Sequence, residues 1–387
     1  MIKVLHILTR LIRGGADEST LATVAGLQDY DFKATLLVGN DSDAGYVAEA
    51  LKVADLRCEP FLRRDIKPFY DMAALCRLYK ILKQEQYTIV HTNTAKAGIL
   101  GRFAAKMAGI PIVVHTVHGV TFHDFRHSSL RKLFIAFEQM AARLTDQFIA
   151  VGKDVQEYYL AHEIGCAEQY QVIHTGMDLE RFFEAGKLSH AHKCAKRREL
   201  GLSLDDRLVG IVSRLDPGKG QQFLLQAAPQ ILSRFPQARF LLVGDGKDRA
   251  VLEQMIRDRH LHDYVVCTGF RADVEEMIAL FDVAVFTSLW EGLPRVLVQY
   301  AAVGKPIVAF DIKGVSELVR DGFNGFTVPV KDSDSLAAQI LCLLEHPAKA
   351  IQMGQNGHAL IDNSWNTESM VRQIAQTYQT LLTKKAL

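Results

Sequence analysis

Short apolar runs alternate along the chain with longer stretches whose apolar positions recur every three or four residues. In the first half the runs are KVLHIL (3–8), KATLLV (33–38), YTIVHT (87–92), PIVVHTVH (111–118) and DQFIAVG (146–152). The intervening stretches DESTLATVAGLQ, DMAALCRLYKILKQ, AGILGRFAAKMAG and LRKLFIAFEQMAARL have helical spacing. The pattern restarts in the second half with runs at 207–215, 238–246, 263–270, 282–289, 306–311 and 325–330. Runs of Val, Ile and Leu without polar alternation predict strands buried on both faces, as in parallel sheets. Their alternation with helices predicts an α/β protein.

Residues 183–206 break this rhythm, being charged and poor in strand formers. The expected organisation is therefore a Rossmann-like doubly wound domain over 1–182, an interdomain linker over 183–206, a second such domain over 207–363 and a terminal helix within 364–387. Two doubly wound domains define a cleft, and ligands bind beyond the carboxyl ends of the strands at the switch point. A length of 387 residues suits two or three domains.

Composition narrows the function. Hydrophobic residues make up 49% and charged residues 23%, which excludes general disorder. Basic and acidic residues nearly cancel to a net charge of +1, so no nucleic-acid partner is expected. The first 153 residues carry a modest basic excess, the remainder an acidic one. Six scattered cysteines without a C-x-x-C pair read as reduced thiols of a cytoplasmic protein. The opening MIKVLHILT is only strand length and no apolar run is long enough to span a bilayer, so neither a leader nor a membrane span is expected.

Candidate chemistry clusters at strand ends. Gly14-Gly15 follow the first run and precede a helix, where glycines let backbone approach a phosphate. VSRLDPGKG (212–220) places Arg214 and Lys219 after a strand, two cations able to neutralise a diphosphate, although no P-loop is present. VGDGKDR (243–249) contributes Gly244 in a short G-x-G turn. In SLWEGLPRVLVQY, Glu291 precedes a glycine turn and Gln299 lies eight residues on, on one helical side if the helix is continuous. Of His115, His118, His123 and His127, only His118, beside Gly119 at a strand end, is the expected ligand-facing residue. Their spacing gives no metal framework. Two D-x-D strings, Asp41-Ser42-Asp43 and Asp332-Ser333-Asp334, are read as turn and helix-capping residues rather than metal ligands.

In order, these pieces resemble retaining glycosyltransferases of family 4, which have the GT-B fold, over nearly the whole chain. The resemblance rests on HTNTAKAGILGRFAAKMAGIPIVVHTVHG (91–119), on VIHTGMDLERF (172–182), and on the long stretch 268–332 that contains WEGLPRVLVQY. It implies an acceptor-binding first domain, a nucleotide-sugar-binding second domain and a terminal helix that returns to the first. It further implies that Arg214 and Lys219 grip the donor diphosphate and that Gly15 closes over phosphate or acceptor. His118 and Glu291 would contact the donor sugar, and backbone amides of Gly292, Leu293, Pro294, Arg295 and Val296 would bind sugar and phosphate. Gly244 and Arg271 would lie at the donor site, Arg271 flanking the base. The family has a second Glu where this chain has Gln299, a ribose-binding position, which implies altered donor affinity.

The implied reaction moves a sugar from a nucleotide diphosphate, a UDP-sugar by family frequency, to an acceptor hydroxyl with retention, without metal or other cofactor. The expected acceptor is a carbohydrate or lipid-linked intermediate of cell-surface polysaccharide or lipopolysaccharide synthesis. Basic and apolar residues in 124–144, with Arg63, Arg64 and Lys67, suggest peripheral contact at the inner face of the cell membrane. The alternatives are a nucleotide-sugar epimerase and a non-catalytic nucleotide-sugar-binding protein.

Overall fold

The computed structural model describes residues 1–119 and 128–387. They divide into two units, Met1–Met177 with Asn363–Leu387, and Asp178–Asp362. The first holds a sheet of β1 (Ile2–Leu8), β2 (Phe32–Gly39), β3 (Asp55–Glu59), β4 (Ile89–Asn93), β5 (Ile112–Val117), β6 (Gln147–Ala150) and β7 (Tyr170–Val172). Its spatial order is β3-β2-β1-β4-β5-β6-β7, and every pairing is parallel. The second holds β8 (Arg207–Val212), β9 (Ala238–Val243), β10 (Val265–Gly269), β11 (Val283–Phe286), β12 (Ile307–Phe310) and β13 (Gly325–Val328) in the order β10-β9-β8-β11-β12-β13, again parallel.

The predicted apolar runs all became strands. Two strands escaped the pattern, β3 and β7. β3, DLRCE, buries only Leu56 and Glu59 because it is an edge strand with one neighbour. β7 is three residues long and is the opposite edge. What hid them is polar, exposed positions in β3 and the shortness of β7, since the edge strands β10 and β13 of the second sheet kept their apolar runs.

In the first unit the sheet separates two apolar layers. One contains Leu5, Ile7, Leu78, Val90, Ala97 and Ala104; the other contains Val4, Ile89, Ile112, Met370, Ile374 and Tyr378. The helix Thr367–Lys384 thus belongs to the first unit, and Asn366 caps it by accepting from the Ser369 amide at 2.7 Å. Where the chain leaves and re-enters this unit, the Met177 amide donates to the Trp365 carbonyl at 3.0 Å and His174 stacks on the Trp365 ring at 4.1 Å.

The segment 183–206, read from composition as a linker, lies in the second unit. It carries most of the helix Glu180–Gly186 and all of His190–Glu199. Its polarity reflects a charged clasp rather than a tether: Lys196 contacts Asp273, Glu276 and Glu199, and His192 lies 3.1 Å from Glu276. In the two D-x-D strings Asp43 and Asp332 cap helix starts, accepting from the Tyr46 amide and from the Asp334 and Ser335 amides, while Asp41 accepts from the Arg64 amide at 2.7 Å and ties two loops together. Among the described residues, no helix is long and apolar enough to cross a membrane.

Candidate functional site

The chain order of each sheet reverses at one point, between β1 and β4 in the first unit and between β8 and β11 in the second. Strands on either side of such a point diverge and open a crevice beyond their carboxyl ends. In the second unit β8 and β11 pair only at Val209–Val283 and Gly210–Ala284. Beyond that pairing the fully buried Tyr300 hydroxyl bridges the gap, accepting from the Val212 amide at 2.7 Å and donating to the Val285 carbonyl at 3.3 Å.

The loops leaving β8 and β11 meet above this bridge. Gly220 has φ 75°, and a Cβ there would fall 2.0 Å from the Thr287 carbonyl oxygen, so only glycine lets the two backbones touch. Gly244, with φ 135°, brings the β9 turn equally close to the Ser213 carbonyl. The Thr287 hydroxyl donates to the Lys219 carbonyl at 3.2 Å, and the Leu289 amide to the Gly218 carbonyl at 2.8 Å. Their product is a close ion pair between the Lys219 ammonium and the Glu291 carboxylate, each side chain 22% exposed.

Arg214 lies on the same β8 loop with its side chain 58% exposed and 3.3 Å from Asp216. Gln221 holds that loop: nearly fully buried, it donates from Nε2 to Ser213 Oγ at 2.7 Å and to the Arg214 carbonyl at 2.8 Å. Sequence reading missed Gln221 and Tyr300, because a Gln at a helix start and a Tyr inside a helix carry no motif. Backbone amides of the turn before the helix Arg295–Ala302 are fewer than expected. Pro294 has no N–H, and the Arg295 amide donates to the Leu293 carbonyl at 2.9 Å. Glu291 and Gln299 do not share a helix, because helical structure begins only at Arg295; Glu291 belongs to the preceding loop with Gly292 and Leu293. Val296 occupies the first turn and Gln299 the middle of that helix, both partly exposed.

The Arg271 side chain does not join this cluster. Its guanidinium grips Asp273 at 2.6 and 2.7 Å and Glu199 at 2.8 Å, holding the Asp273 carboxyl well below its usual range. It fastens the helix His190–Glu199 to the start of the helix Val274–Leu280.

In the first unit, Gly14 and Gly15 open the helix Gly15–Gly26 after β1, where Asp17 accepts from the Ile12 amide at 2.8 Å. His118 follows β5, and its Nε2 lies 3.0 Å from Asn93 Oδ1 at the end of β4. Thr94 has φ 62°, a left-handed value costly for a β-branched residue, and its hydroxyl meets that of Thr9 at 2.8 Å across the β1–β4 switch point. Asn93 and Thr94 were missed; their signal was three polar residues, Thr92 to Thr94, between an apolar run and a helix. His115 is a strand residue buried beneath, bonded to Thr92 Oγ1 at 2.9 Å. His123 and His127 lie outside the described residues. Among the described residues no group of three or more His, Cys, Asp or Glu side chains could hold a metal ion.

Residues 193–360 match the model for glycosyl transferases group 1, and residues 13–181 the model for glycosyltransferase family 4. The chain is 30% identical over 388 aligned positions to the UDP-Gal:alpha-D-GlcNAc-diphosphoundecaprenol alpha-1,3-galactosyltransferase of Escherichia coli, covering 99% of this chain and 98% of that protein. It is 28% identical to the EpsD glycosyltransferase assigned in Bacillus subtilis, over 84% of this chain and 86% of that one. Its structure is similar to the crystal structure of Anabaena Alr3699/HepE in complex with UDP, with a TM-score of 0.83, 25% identity, and 98% and 100% of the two chains covered.

Proposed function

Since the chain belongs to glycosyltransferase family 4 and has the GT-B fold, we propose that it is a retaining enzyme using a UDP-sugar to extend a lipid-diphosphate-linked glycan in cell-surface polysaccharide synthesis. The observation that carries this reading is the convergence of Lys219, Glu291 and the Arg214 loop at the second sheet's switch point. The E. coli relative uses UDP-galactose on a diphosphoundecaprenol acceptor, and HepE binds UDP and UDP-glucose, which supports this donor and acceptor class.

In this mechanism the acceptor hydroxyl attacks the anomeric carbon from the face the diphosphate leaves. The new C–O bond forms as the bond to the phosphate oxygen breaks, and the hydroxyl proton passes to that oxygen. No protein nucleophile and no metal takes part. Lys219 and Arg214 neutralise charge growing on the leaving diphosphate, the term that dominates such catalysis. Glu291, paired with Lys219, accepts hydrogen bonds from the sugar, while Gly244 and the turn Gly292 to Val296 frame the donor. Gln299 binds ribose with its amide in place of a carboxylate. Gly15 and His118, at the first sheet's switch point, bind hydroxyl or phosphate groups of the substrates. The first unit serves the acceptor and the second the nucleotide sugar.

The helix Ser128–Ala142 supports peripheral contact with the inner face of the cell membrane. One side is anchored by Arg102 and Glu138, ion-paired at 2.6 Å and fully buried. The other presents Leu130, Leu133, Phe137 and Met140, each 40–54% exposed, beside exposed Lys132 and Arg143. Apolar residues at spacings of three and four, flanked by cations, suit an anionic bilayer surface. Wild-type protein is expected to float with anionic vesicles and a Leu133→Glu, Phe137→Glu variant to remain behind; no flotation by the wild type refutes the contact.

The transfer reading is tested by thermal shift against nucleotide sugars without added metal, followed by nucleotide release with and without a polyprenyl-diphosphate glycan. Acceptor-dependent UDP release is expected. Sugar interconversion without acceptor would mean an epimerase, and binding without turnover a non-catalytic nucleotide-sugar-binding protein.

A further inference from the structure

Lys219 lies between two glycines in left-handed backbone, Gly218 with φ 90° and Gly220 with φ 75°. The turn Asp216–Lys219 is closed by the Lys219 amide donating to the Asp216 carbonyl at 3.1 Å, with Pro217 and Gly218 at its centre. Glycine on both sides leaves the lysine free to swing unless each is pinned. Gly220 is pinned by backbone, against the Thr287 carbonyl. Gly218 is pinned by a side chain. A Cβ there would fall 2.4 Å from Cζ2, 2.6 Å from Cη2 and 3.0 Å from Cε2 of Trp290, so the six-membered ring of the indole covers the Gly218 Cα.

We propose that Trp290 is a positioning residue that clamps the Gly218 hinge and so presents the Lys219 ammonium to the diphosphate of a bound nucleotide. The inference rests on the reading of Lys219 as a diphosphate ligand. Three consecutive residues of the loop after β11 grip the turn. The Leu289 amide donates to the Gly218 carbonyl at 2.8 Å, Trp290 covers Gly218, and Glu291 pairs with Lys219. Leu289 also packs against the apolar core of the unit, whereas Trp290 is 45% exposed, so filling the core does not account for the indole. An arriving diphosphate competes with Glu291 for the ammonium, and that contact is the one that yields. The ring on Gly218 then keeps the turn in place. An ammonium placed in advance spares the ligand the cost of ordering a flexible lysine.

The test titrates the full-length protein with UDP by calorimetry and with uridine, which lacks the diphosphate, by ligand-observed NMR. Lys219→Ala is expected to weaken UDP about 10- to 100-fold, the scale of a hydrogen bond to a charged group, and to leave uridine unchanged. Trp290→Ala is expected to weaken UDP about 2- to 10-fold, the cost of ordering one flexible side chain, with uridine again unchanged. Trp290→Phe, which keeps a ring over Gly218, should bind UDP as the wild type does. Adding Trp290→Ala to Lys219→Ala should cost nothing further, because the clamp acts only through the lysine. Should Trp290→Ala fail to fold, Trp290→Leu, apolar but without a ring, decides by the same comparison. Wild-type UDP affinity in Trp290→Ala or Trp290→Leu, additive losses in the double variant, or an equal loss of uridine would overturn the clamp and leave Lys219 in its role. Unchanged UDP affinity in Lys219→Ala, or no UDP binding by the wild type, would instead overturn the reading of Lys219 on which the proposal rests.

Discussion

The Lys219 ammonium and the Glu291 carboxylate are ion-paired across loops that leave two adjacent strands, 72 residues apart in the chain. Neither charge is deeply buried, so the pair adds little to stability, roughly 1 kcal/mol or less. In the proposed reaction the pair holds a cation at the mouth of the switch-point crevice, to be shared with the donor diphosphate.

Lys219→Ala is therefore expected to lower kcat/KM by about 100- to 1000-fold, the scale of one lost transition-state electrostatic contact. The thermal midpoint should barely move. Steady-state kinetics with the identified donor, alongside thermal melts, checks this; an unchanged kcat/KM would remove Lys219 from the reaction.

Tyr300→Phe should act through stability first. It strips the acceptor from the Val212 amide at a buried point where the sheet opens. Leaving such a donor unpaired costs about 1–3 kcal/mol. Urea denaturation should show the midpoint falling with an unchanged slope.

Gln299→Glu should restore a charged acceptor at the proposed ribose position. Hydrogen bonds to charged groups are worth more than neutral ones by about 1 kcal/mol, so donor KM should fall several-fold with kcat little changed. A sharp rise in kcat instead would mark the present site as partly degenerate.

The histidine layer of the first unit predicts an acid-labile fold. Burial lowers the His6 pKa from 6.5 to about 3, and His91 and His115 are pushed down for the same reason. Above pH 6.5 both folded and unfolded His6 are neutral and the slope is zero. As pH falls from 6.5 toward about 3 only the unfolded chain gains the proton, so stability declines by roughly 1.4 kcal/mol per pH unit for each such residue. Denaturation midpoints measured across this range should fall steadily with acidity, and His6→Gln should flatten the slope. A midpoint independent of pH below neutrality would contradict the buried neutral state.

Much of this protein was legible from local pattern. Strands such as β1, β8 and β11 show as apolar runs because neighbours bury both their faces. The caps at Asp43 and Asp332 show because a cap acts on amides two or three residues away. The glycines at 220 and 244 could be suspected, yet their necessity appears only against Thr287 and Ser213, which belong to other strands' loops. β3 was hidden by the exposed Asp55, Arg57 and Cys58 that break its apolar run, and the charge of 183–206 looked like a linker until Lys196 met Asp273. Asn93, Gln221 and Tyr300 carried no motif at all. Sequence by itself determined the alternation of strand and helix, hence the α/β class, because burial and capping act within a few residues. Only the tertiary structure decided which strand ends adjoin, and so which side chains meet. The pairing of Lys219 with Glu291, or of His118 with Asn93, depends on sheet order and on where strands part, which no short-range pattern records.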